Sequence, residues 1–204
     1  MPNTSLVRAL PVVLGAAALL ALLGVFFVDD AVARFVSTLP WSRVFHSVAL
    51  GSPVLVSIAC AIVIAGAVQN ARGRPLGRLM QVLVVASFSL VWSVCVDEFV
   101  LKYIFGRETP GEFLKTGLDS FHWFQGGPMT SFPSGHAVQI MAVGGVFLMA
   151  YPQKRLVWFA LMGVGLVALV LGNWHFVSDV IAGAAFGFSG GVATFALWHR
   201  GERP

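Results

Sequence analysis

The sequence predicts an all-α, polytopic membrane protein built as a bundle of six transmembrane helices. Three observations carry that prediction. Of the 204 residues, 57% are hydrophobic and only 11% charged, with a mean hydropathy of +0.84, whereas soluble domains carry about 25% charged residues. Six segments are apolar over lengths near the roughly 20 residues that a spanning helix needs. The short connections "NARGRPLGR" and "PQKR" are basic and free of acids, the pattern of cytoplasmic loops.

Taken in order, the first apolar segment covers residues 6–28. It exceeds the usual 7–15 residues of a signal-peptide core, and "VFFVDD" is not a small-residue cleavage site, so a retained helix is expected. The following stretch, "DDAVARFVSTLPWSRVFHS", mixes apolar and polar residues at helical spacing and predicts an interfacial helix. Segments two and three cover 51–69 and 79–101; the fourth, 136–151, is the shortest, and "MTSFPS" is expected to complete its length. Segments five and six cover 156–174 and 179–198. In the sixth, Gly183, Gly187 and Gly191 fall four apart on one face, the spacing that lets helices approach closely in lipid. Cys60 and Cys95 lie inside apolar segments and read as small core residues. Residues 1–204 read as a single membrane domain.

With a cytoplasmic N-terminus, Arg8, Arg72, Arg74, Arg78, Lys154, Arg155, Arg200 and Arg203 fall inside, against Arg34, Arg43, Lys102, Arg107 and Lys115 outside. This predicts a multi-pass protein of the cytoplasmic membrane with residues 102–135 on its outer, periplasmic or exterior side. The net charge of +4 comes with no basic run or aromatic–basic patch, so the predicted partner is the bilayer and not nucleic acid. Nothing in the sequence reads out an oligomeric state.

Ionisable residues at membrane depth are costly and mark function. They collect in "DEFVLKYIFGRETP", "SFPSGH" and "GNWHFVSD", and the topology brings all three to one membrane face. Pro133 suits a first helical turn, and Ser134 and Gly135 are then expected to expose N–H groups at the positive end of the helix dipole, an anion site. His136 there is either a proton donor to a bound group or a surface residue beside a simple cap. His175 and Asp179, four apart, form an oriented imidazole, a structural hydrogen bond or a metal pair. No HExxH or carboxylate cluster supplies further ligands, so no metal and no cofactor is expected. Lys102 and Arg107 either grip phosphate or reach toward lipid headgroups, with Asp97 and Glu98 expected to satisfy them.

In these motifs, over about 79–198, the chain resembles the type 2 phosphatidic acid phosphatase superfamily, the membrane lipid phosphate phosphatases related to vanadium haloperoxidases. That family carries Lys-x6-Arg-Pro, Pro-Ser-Gly-His and Ser-Arg-x5-His-x3-Asp. The second is complete as Pro133-Ser134-Gly135-His136, and the third ends in His175 and Asp179. The resemblance implies a lipid phosphatase without metal: phospho-His175 as intermediate, Asp179 orienting it, and His136 as leaving-group acid. Two positions depart. Thr109 stands where the first motif has arginine, and Ala168 and Leu169 where the third has Ser-Arg. Arg107 is the candidate replacement for one cation, with Asn173, Trp174 or His122 as accessory donors. The expected substrate is a lipid phosphate or diphosphate. The competing functions are a non-catalytic lipid-phosphate binder or transporter, a lipid phosphotransferase and a metal-dependent hydrolase.

Overall fold

The computed structural model describes residues 4–41 and 52–201. They form α1 (Thr4–Phe27), α2 (Asp29–Ser37), α3 (Ser52–Ala71) and α4 (Arg78–Val96). A π turn, Asp97–Leu101, carries α4 without a break into α5 (Lys102–Phe105). After these come α6 (Pro110–Thr116), α7 (Gly135–Ala150), α8 (Arg155–Leu171) and α9 (Val177–Gly201).

Among the described residues, five stretches are long and apolar enough to cross a membrane: Ser5–Phe27, Pro53–Ala71, Arg78–Phe105, Pro152–Leu171 and Val177–Arg200. The sixth apolar helix, α7, has 16 residues. At about 1.5 Å per residue it is roughly 24 Å long, short of the ~30 Å hydrocarbon core. The expectation that "MTSFPS" completes it is corrected. Residues 129–134 are turn, bend and irregular chain, because Ser134 is the N-cap and its hydroxyl accepts from the Ala137 N–H at 3.2 Å. Pro133 therefore precedes the cap and does not stand in the first turn.

The most extensive packing is between α7 and α9, with α1 against α9, α4 against α7 and α3 against α4. The glycine row of α9 lies directly on the backbone of α7. A Cβ at Gly183, Gly187 or Gly191 would come within 2.4, 2.3 and 2.4 Å of the carbonyl oxygens of Ser134, Val138 and Ala142. Side-chain-free contact at three successive turns fixes where the two helices begin relative to each other. Below it, Val82, Val85, Val146, Met149, Val192 and Phe195 close an apolar core between α4, α7 and α9.

A helix is present in the stretch predicted to be interfacial, as α2, with Ala33 and Val36 buried and Arg34 and Phe35 exposed. The part of that prediction on residues 42–50 lies outside the described residues. Asp29, its first residue, is buried and not at the surface. Ala33 of α2 and Phe113 of α6 pack on Phe176, just before α9. The ends of α5, α1 and α8 and the starts of α7 and α9 thus meet in one place.

Candidate active site

Three of the elements just described position His175, Asp179 and His136. The α8–α9 turn brings His175 to the start of α9, where the Phe176 N–H donates to Asp179 Oδ2 at 2.9 Å. Opposite, the Ser134 N–H donates to the Asp179 carbonyl at 3.0 Å, joining the two helix starts. His175, 7% exposed, places Nδ1 3.0 Å from the Ser131 carbonyl oxygen. A carbonyl can only accept, so Nδ1 carries a proton. Nε2 lies 3.3 Å from Nδ1 of His136, and Trp174 packs beside His136 at a ring separation of 5.6 Å. Two imidazole nitrogens thus face each other within hydrogen-bond distance.

Asp179 does not hold His175 directly, since Oδ2 is 3.8 Å from Nδ1. Ser131 stands between them: its hydroxyl donates to Asp179 Oδ2 while its carbonyl accepts from the ring. The contact expected directly between Asp179 and His175 thus runs through Ser131, which sequence reasoning missed. The signal was present as a hydroxyl two residues ahead of Pro133.

The expectation that Arg107 grips phosphate is corrected. Its side chain is fully buried, and all five guanidinium N–H groups are taken within the protein. Nε donates to Asp119 at 2.8 Å; one terminal nitrogen donates to Ser178 Oγ at 2.7 Å and Asp179 Oδ1 at 2.6 Å; the other donates to Asp29 at 2.8 Å and to the second Asp119 oxygen. Burial alone opposes the charge, but the Asp119 hydrogen bond and the charges of Asp179, Asp119 and Asp29 hold the guanidinium above its ordinary pKa. Arg107 also lies over the Phe176 ring at 4.0 Å. It is the hub of a buried cluster with Asp29 and Asp119, two further residues that sequence reasoning missed. The signals were an acid pair closing the first apolar run and a lone acid before "SFHWF".

Other expected residues divide. Lys102 is buried, with Nζ 2.7 Å from Glu98 and 3.2 Å from the Pro128 carbonyl. Asp97 departs from its expected role: among the described residues, neither of its buried carboxyl oxygens meets a donor. Ser134 does not offer its N–H to an anion, because Asp179 accepts it. The open face expected at Gly135 is filled: a Cβ there would come within 2.9 Å of both Asp97 Oδ2 and Glu98 Oε1, and 3.5 Å of Lys102 Nζ. Asn173 turns its amide away, donating to the Ala33 carbonyl at 3.2 Å. His122 is exposed, 3.5 Å from Glu108. Thr109 caps α6 in a capping box with Glu112, and Leu169 is buried against Ala137 and Val180, so both motif-arginine positions carry structural duties. Among the described residues, no group of three His, Cys, Asp or Glu side chains is placed to hold a metal ion.

The family model of the PAP2 superfamily matches residues 82–203, and the chain belongs to that superfamily. Two relatives are named lipid A 1-phosphatase. One, from Rhizobium johnstonii, is 38% identical over 102 residues, 49% of this chain and 41% of the relative. The other, from Rhizobium etli, is 38% identical over 90 residues, 43% of this chain and 38% of the relative. The chain thus matches about two fifths of the length of these relatives. No solved structure matches it significantly.

Proposed function

We propose that the chain is a lipid phosphate phosphatase acting through a phospho-histidine intermediate, without metal, at the outer face of the cytoplasmic membrane. One observation carries this reading: His175 holds its Nδ1 proton against the Ser131 carbonyl and turns Nε2 toward His136. Phosphate enters between the two rings. Nε2 attacks phosphorus as the bond to the lipid oxygen breaks, and His136 gives its proton to that oxygen. Water then attacks the phosphohistidine, passing a proton to His136 and releasing inorganic phosphate. Lys102 is the proposed phosphate cation, held beside the start of α7 by Glu98 and Pro128. The relatives' name makes a lipid A 1-phosphate the first substrate to test. The basic "NARGRPLGR" and "PQKR" loops support the orientation.

The test is phosphate release by purified protein from a panel of lipid phosphates in EDTA. Release from at least one lipid is expected; release only when a divalent metal is added contradicts the metal-free mechanism. Thr109 and Leu169, committed to a cap and to the core, favour a second reading as a non-catalytic lipid-phosphate binder. Binding of the same lipids with no release establishes that one.

A further inference from the structure

We propose that Asp29 and Asp119 are positioning residues for His175, acting through Arg107 and the first turn of α9. This rests on the reading of His175 as nucleophile. Asp29 Oδ1 accepts the Ser178 backbone N–H at 3.0 Å, and Oδ2 accepts from both the Ser178 hydroxyl and Arg107. It therefore pins the helix start from which Asp179 projects, using a carboxylate from α2. Asp119 grips one edge of the same guanidinium with both of its oxygens.

The charge count points beyond bracing. One buried guanidinium faces three carboxylates, Asp29, Asp119 and Asp179. A structural ion pair needs one, and each surplus buried charge costs solvation. That surplus becomes favourable when a positive charge forms nearby. Phosphorylation of Nε2 does this, because Nδ1 keeps its proton and the ring becomes cationic. The charged and titratable groups around the ring are His136 from α7, Asp179 from α9, Asp29 from α2, Arg107 and Asp119 from the 106–134 segment, and Lys102 with Glu98 at the α4–α5 junction. Asp29 and Asp119 share the Arg107 guanidinium with Asp179, so their charge reaches His175 through that network.

The experiment compares wild type with Asp29→Asn, Asp29→Glu and Asp119→Asn, measuring kcat and KM across pH on a lipid phosphate. Each Asn variant is expected to lower kcat about tenfold with KM little changed. Each should also move the acid limb of kcat/KM to lower pH, since less negative charge surrounds the ring. Asp29→Glu restores both. An acid limb that stays in place in both Asn variants overturns the proposal, as does a loss expressed in KM. Asp119 lies off α9, so Asp119→Asn carries the test if Asp29→Asn does not fold. If wild type releases no phosphate, the phosphatase reading fails by itself. Ring-nitrogen NMR of 15N-histidine protein, assigned with His175→Gln, then decides. A His175 titration midpoint lower in Asp119→Asn than in wild type supports the charge effect, and an equal midpoint overturns it.

Discussion

Replacing Arg107 with lysine tests the buried cluster at its centre. The substitution keeps a positive charge but loses the planar fork. Arginine makes five bonds here, four of them to carboxylates and one to a hydroxyl. An ammonium has three donors, so at least two bonds are lost. At about 1.5–3 kcal/mol for each bond to a charged partner, the loss is roughly 3–6 kcal/mol. Breaking a buried ion pair by removing one partner costs a similar amount, about 3–5 kcal/mol. In a chain of this size each kcal/mol shifts the melting temperature by about 2–4 °C, so a fall of about 10 °C or more is expected. The assay is thermal unfolding in detergent, followed by tryptophan fluorescence, together with the inhibition constant of inorganic phosphate. An unchanged melting temperature with weakened phosphate inhibition refutes the hub and makes Arg107 a phosphate ligand.

Gly187→Val places side-chain atoms against the Val138 backbone and should cost about 1–3 kcal/mol by overpacking, read as a lowered melting temperature; Gly163→Ala, which meets nothing within 4 Å, should leave it unchanged. Ser131→Ala removes the hydroxyl on Asp179 but keeps the carbonyl that holds His175, so kcat should fall by about tenfold rather than vanish. Exposed Thr116, made cysteine after Cys60 and Cys95 are replaced, should react with an impermeant thiol reagent in intact cells; labelling only after lysis contradicts the outward-facing site.

The bundle was legible because lipid leaves the backbone few choices. Apolar runs of spanning length read directly as helices, and the spacing of Gly183, Gly187 and Gly191 marked a close-packing face, though only the fold shows that its partner is the backbone of α7. The convergence of three polar stretches followed from counting spans. What remained hidden were pairings set by depth and not by spacing. Arg107 looked like a displaced motif cation, because sequence cannot show that Asp29, some eighty positions earlier, returns to meet it. Ser131 showed in the sequence only as a hydroxyl ahead of Pro133; its contact with His175 is through a backbone carbonyl, which any residue would supply. The Gly135 face looked open to a ligand, yet the π turn at Asp97–Leu101 directs two acids onto it. A π turn leaves no clear periodicity in so apolar a run.

The central claim is that His175 accepts a phosphoryl group, and a rapid acid and base quench with radioactive lipid phosphate tests it most directly. Wild type should trap a label that is labile in acid and stable in base, as a phosphorylated imidazole is. His175→Ala should trap none, while His136→Ala, slowed by about 10²–10⁴-fold through loss of its proton, should still acquire label from a p-nitrophenyl ester whose leaving group needs no proton. Label that persists in His175→Ala, or that disappears only in His136→Ala, contradicts the account.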